Sequence, residues 1–60
     1  MIEYANYKID GIWNDDLMQD DVKHKMINRI TKAVHAYESG LCTVDETMAI
    51  INNPGAGITD

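Results

Sequence analysis

The chain has 60 residues and a formal net charge of −5, from 10 acidic and 5 basic side chains. A chain this short holds one small domain with a marginal core, which leaves little room for an enzyme with its own buried pocket. One cysteine excludes an intrachain disulfide, no apolar run approaches the roughly 18 residues of a membrane span, and a hydrophobic share of 45% argues against disorder throughout.

Residues 2–13 are rich in tyrosine and isoleucine and end on tryptophan, all of which favour strands. Asp10-Gly11, between Lys8-Ile9 and Ile12-Trp13, has the chemistry of a two-residue hairpin turn, because glycine tolerates the positive φ of a type I′ turn. The period-two alternation is poor: Ile2 and Tyr4 fall on one face, Tyr7 and Ile9 on the other. The segment is expected to be an N-terminal strand or short ribbon. Such an element is not stable alone, so it must pair with another chain or lie on a helix.

A long amphipathic helix is expected from about Asn14, whose side-chain oxygen suits an N-cap. Asp15 and Asp16 would then complement the helix dipole, and Trp13 with Met18 would form a hydrophobic staple. A start at Asp20 after a short turn is the competing reading. From there on Val22, Met26, Ile30, Ala33 and Tyr37 recur at spacings of four, four, three and four, with Ile27 and Val34 widening the stripe. Asp21 and Lys25 make a favourable i,i+4 pair.

Gly40 suits the left-handed residue that follows a helix. Thr43 and Glu46 spell a capping box for a short second helix, on which Val44, Met48 and Ile51 share a face with Ala49 beside them. Asn52-Asn53-Pro54-Gly55 ends it, because proline cannot continue a helix. The short joint around Gly40 is expected to fold the two helices into an antiparallel helical hairpin. Residues 1–55 would form the domain and residues 56–60 a flexible tail. The fold class is therefore mainly α, with an N-terminal strand or ribbon, and dimerising, because a domain this small lacks a staple of its own. Val22, Met26, Ile27, Ile30, Ala33, Val34, Tyr37, Met48 and Ile51 are expected in the core or the dimer interface. The split of charge along the long helix suits an antiparallel pair with a two-fold near Met26.

No catalytic constellation is evident. His24, His35 and Cys42 match no compact zinc spacing, and two histidines eleven residues apart on a helix stand about 16 Å from each other. Gly55-Ala56-Gly57 follows no strand and opens no helix, so it is not a phosphate loop. No catalytic residue, cofactor or metal is expected. The acidic balance disfavours nucleic acid, whose binding draws on a field of lysines and arginines, and suits a partner with a basic surface. Asp15, Asp16, Asp20 and Asp21 are the densest charge feature. Dipole complementation and solvation account for them plainly; engagement of a basic patch on a target is the functional alternative. Met18, Met26 and Met48 fill the core or supply an adaptable contact surface. The lone cysteine and the lack of a secretory signal suit the cytoplasm.

The run Gly40-Leu41-Cys42-Thr43-Val44-Asp45-Glu46, after an amphipathic helix, resembles the joint of SHOCT-like two-helix oligomerisation domains over residues 30–53. Thr47 and Met48 depart from that pattern, standing where the family tends to place a phenylalanine. As a class, the chain is similar to the small compact proteins that bacteriophages encode to block host or defence enzymes. That resemblance implies binding to a larger protein, often as a homodimer and without catalysis. The expected function is a small acidic non-enzymatic interaction protein, an inhibitor of a larger host or defence protein from a phage or mobile element. The alternative is a structural oligomerisation or transcription-cofactor module.

Overall fold

A computed structural model describes residues 1–56. It contains three helices, α1 (Ile2–Trp13), α2 (Asp20–Glu38) and α3 (Val44–Asn52), and no strand among the described residues. Both α1 and α3 pack on α2.

The N-terminal segment is thus a helix, and the expected strand or ribbon is overturned. Met1, Ala5, Ile9 and Ile12 recur at spacings of four, four and three and line one helical face. Ala5 and Ile12 are buried, and Met1 and Ile9 pack against the same core cluster. Strand propensities differ by only about 1 kcal/mol across the whole scale. Burying one large aliphatic side chain contributes about 1.5–3 kcal/mol, so the face that can be buried decides the element. Asp10-Gly11 is helix interior rather than a turn; among the described residues only Gly40 has a positive φ.

The expected start near Asn14 is also corrected, in favour of the start at Asp20. Asn14 closes α1, its N–H donating to the Asp10 carbonyl at 3.0 Å. The connecting turn is held by Asp15, whose Oδ1 accepts from the Leu17 N–H at 3.0 Å. Asp20 and Asp21 occupy the first turn of α2, where the dipole favours acid. Trp13 does not staple to Met18. It lies edge-on to His24 with ring centroids 5.4 Å apart, while Met18 packs on the core.

Along α2, Ile30 and Ala33 are buried, and Met26, Ile27 and Val34 pack partly buried against the core. Val22 is half-buried, and Tyr37 lies outside the core, at the exposed end of the stripe. The buried face also takes in Lys23, only 8% exposed, whose Nζ donates to the Trp13 carbonyl at 3.1 Å. Its aliphatic stem packs while its charge sits at the negative end of α1.

The joint after α2 is a complete Schellman motif. The Leu41 N–H donates to the Ala36 carbonyl at 2.8 Å and the Gly40 N–H to that of Tyr37 at 3.0 Å, with Gly40 at φ 79°. The capping box of α3 is formed: Thr43 Oγ1 accepts from the Glu46 N–H at 3.2 Å, and Glu46 Oε1 accepts from the Thr43 N–H at 3.3 Å. The buried face of α3 centres on Thr47 and Ile51, both fully buried, with Met48 beside them; Val44 is exposed. Thr47 is tolerated there because its hydroxyl donates to the Thr43 carbonyl at 2.9 Å. After α3, Pro54 is buried, Gly55 lies near Met26, and the Ala56 carbonyl accepts from Arg29 Nη1. Ala56 is therefore tied to α2; the other residues of the expected tail, 57–60, lie outside the described residues. Among the described residues no helix is long and apolar enough to cross a membrane.

Candidate functional site

The chain has one tryptophan, three tyrosines and no phenylalanine. All four aromatic side chains are at the surface: Tyr4, Tyr7 at 72% exposure, Trp13 at 48%, and Tyr37. The core is built from alanine, isoleucine, valine, methionine and a threonine instead. Leu17, in the turn after α1, is 97% exposed. Aromatic side chains are the largest apolar surfaces a small chain can bury, and three of the four left outside the core, Tyr4, Tyr7 and Trp13, lie on α1.

Tyr4 and Tyr7 stack on one flank of α1 with centroids 6.4 Å apart, and Tyr4 Oη donates to Asn52 Oδ1 at 2.5 Å. This bond ties α1 to the end of α3. Between the two elements runs a groove of about 640 Å³. One wall is α1 from Tyr7 to Asn14, the other is formed by residues 52–55, and Ile12, Met18 and Met26 are its apolar lining. Lys8, Asp10, Asp15, Asn52 and Asn53 supply its polar groups. Gly11 leaves its wall open, since a Cβ built there meets nothing within 4 Å. Helices α1 and α3 both end at the groove, and neither carries a basic residue in its last turn. The Lys23 ammonium offsets the end of α1, so it is the partial negative charge of the α3 C-terminus that adds to Asp10 and Asp15.

Of the four aspartates expected to meet a partner, Asp15 is half-buried and lines the groove. Asp16, Asp20 and Asp21 are exposed on the adjoining turn and the start of α2. The basic residues Lys25, Arg29 and Lys32 follow them along α2, Lys25 one turn after Asp21, and line a depression with Asn28. Tyr37, Leu41 and Val44, at and around the α2–α3 joint, are further exposed apolar side chains. Cys42 is a free, half-buried thiol, and among the described residues no three His, Cys, Asp or Glu side chains gather as a metal site. Reading residues 2–13 as a strand hid Tyr7 and Gly11 as neighbours on a groove wall. The helical spacing of Ala5, Ile9 and Ile12 would have placed them. Compared with known proteins, the chain matches no family model, no curated protein and no solved structure.

Proposed function

We propose that the chain is a small, acidic, non-enzymatic interaction protein that binds a larger protein through α1, the turn after it and the groove beside them. The observation that carries this is the exposure of every aromatic side chain while the core is aliphatic. Tyrosine, tryptophan and methionine are the residue types enriched at the centres of protein interfaces, where a few of them carry most of the affinity. The acidic surroundings favour a basic target surface and speed encounter with it. The class resemblance supplies the kind of target: a larger host or defence protein in the host cytoplasm, inhibited by a protein of a phage or mobile element. In this proposal the chain also pairs with itself. The expected antiparallel hairpin of α2 and α3 would offer the exposed Tyr37, Leu41 and Val44 as the homodimer contact. That patch equally favours the second reading, a structural oligomerisation or transcription-cofactor module.

Two surface variants separate these readings. The tagged chain should capture one host protein from a bacterial lysate, identified by mass spectrometry. Tyr7→Ser with Trp13→Ser and Leu17→Ser should abolish the capture, while Leu41→Ser with Val44→Ser should retain it. The reverse pattern would move the function to the joint and to oligomerisation.

A further inference from the structure

We infer that the groove between α1 and the end of α3 seats a basic, apolar-faced segment of the partner protein, in which arginine or lysine stands beside large aliphatic side chains. This rests on the interaction reading and names the occupant of its site. The lining asks for apolar contact: Ile12 is almost fully buried at the bottom, and the half-buried Met18 and Met26 are unbranched side chains that adapt to the shape they meet. The groove is open along its length rather than enclosed, so it suits a segment laid across it rather than a small molecule.

Charge then selects the sign of the occupant. Asp10 and Asp15 line the groove, and α1 and α3 both end there with no basic residue in the last turn. Against these stand Lys8 and the ammonium of Lys23, which sits on the Trp13 carbonyl and offsets the end of α1. Among the lining side chains two are acidic and one basic, and the end of α3 is unopposed, so the balance is negative. A nucleic acid or an acidic segment would bring like charge to these carboxylates. A second copy of the chain fits poorly as well, because the exposed apolar residues of its joint stand close in sequence to Glu38, Asp45 and Glu46. Its own basic cluster, Lys25, Arg29 and Lys32, adjoins Ile50 but is fixed on α2, with Arg29 already donating to the Ala56 carbonyl.

The test is a random peptide library displayed on phage and panned against the full chain, with Gly11→Lys as the blocking variant. Position 11 has open space and an ordinary helical backbone, so the lysine fits α1 while reaching into the groove and neutralising the net charge of its lining. Circular dichroism checks that the variant is folded. Enriched peptides should combine arginine or lysine with leucine, isoleucine or methionine. They should shift the amide resonances of Gly11, Asn53 and Gly55, and lose about tenfold or more in affinity against Gly11→Lys. Asp10→Asn should weaken them less. Four outcomes overturn the inference: no enrichment over bare support, enrichment of acidic or uncharged peptides, resonance shifts confined to Lys25, Arg29 and Lys32, or unchanged affinity for Gly11→Lys. If the lysate partner is lost on Tyr7→Ser, Trp13→Ser and Leu17→Ser but kept by Gly11→Lys, the interaction reading stands and this occupant alone falls. If neither variant affects capture, the interaction reading falls with it.

Discussion

Two glycines in this chain do opposite things. Gly40 holds φ 79° at the end of α2, a conformation costing other L-residues roughly 1–2 kcal/mol, so Gly40→Ala should lower stability by about that much. Gly11 sits inside α1 with nothing near its missing Cβ, so Gly11→Ala should raise stability by about 0.5–1 kcal/mol. Each kcal/mol moves the melting temperature of so small a domain by about 4–8 °C, and thermal melts of the two variants should shift in opposite directions. The caps give a second contrast. Thr43→Ala removes both the acceptor for the Glu46 N–H and half of the capping box, at a cost of about 1 kcal/mol. Thr47→Val should cost less although Thr47 is fully buried. The Thr43 carbonyl that its hydroxyl serves also accepts the Thr47 N–H at 3.0 Å, and valine keeps the shape. Gly40, Thr43 and Glu46 were legible in sequence because their chemistry is local. Lys23 was not: a lysine reads as solvated until a helix end comes within reach of its ammonium.

At the scale of elements, the misread helix is the instructive one. Tyrosine and isoleucine propensity and the Asp-Gly pair pointed to a strand, but propensity is a weak local preference and the core is a tertiary one. What decides is whether the apolar residues fall on the face that can be buried, and Met1, Ala5, Ile9 and Ile12 do so only at helical spacing. The two alternatives part company at Tyr7 and Ile9. In a strand they share a face; in α1 Ile9 packs on the core while Tyr7 is largely exposed. Ile9→Asp should therefore lose helical circular dichroism and melt early, since a charge at this half-buried position meets the apolar core and removes the packing of Ile9 on it. Tyr7→Asp should melt near the parent chain. Equal sensitivity at both positions would return the segment to a strand. The same logic explains α3, where Val44, Met48 and Ile51 set the expected face and Thr47 turned out to lie at its centre. A hydroxyl that bonds back to its own helix can be buried as a small apolar group, and hydropathy does not record that.

For the whole molecule, α1 changes why the chain would pair with itself. A strand in need of a neighbour and an uncovered stripe on α2 both asked for a second copy, and α1 answers both within one chain. Met26, placed at a two-fold in the expected helix pair, packs on the core with Gly55 beside it, so an axis there would have to displace residues 53–56. Cysteine at position 26, in a Cys42→Ser background, should consequently fail to cross-link chains under mild oxidation. The surface left for pairing is Tyr37, Leu41 and Val44, with Leu41 80% exposed and Glu38, Asp45 and Glu46 around it. Two copies meeting there bring acid toward acid, whereas a basic segment entering the groove brings unlike charges together. Salt screens both over a distance of roughly 10 Å at 0.1 M, so it must act on them with opposite sign. Light scattering should show twice the 6.8 kDa chain mass, with a dimer that tightens as salt rises and is lost on Leu41→Asp. Binding of a basic peptide to the groove should weaken over the same range and ignore Leu41→Asp. A single-chain mass at every salt concentration would remove self-pairing and leave the groove as the interface to test. A dimer that loosens with salt would instead mean that Asp15, Asp16, Asp20 and Asp21 of one chain meet the Lys25, Arg29 and Lys32 face of another.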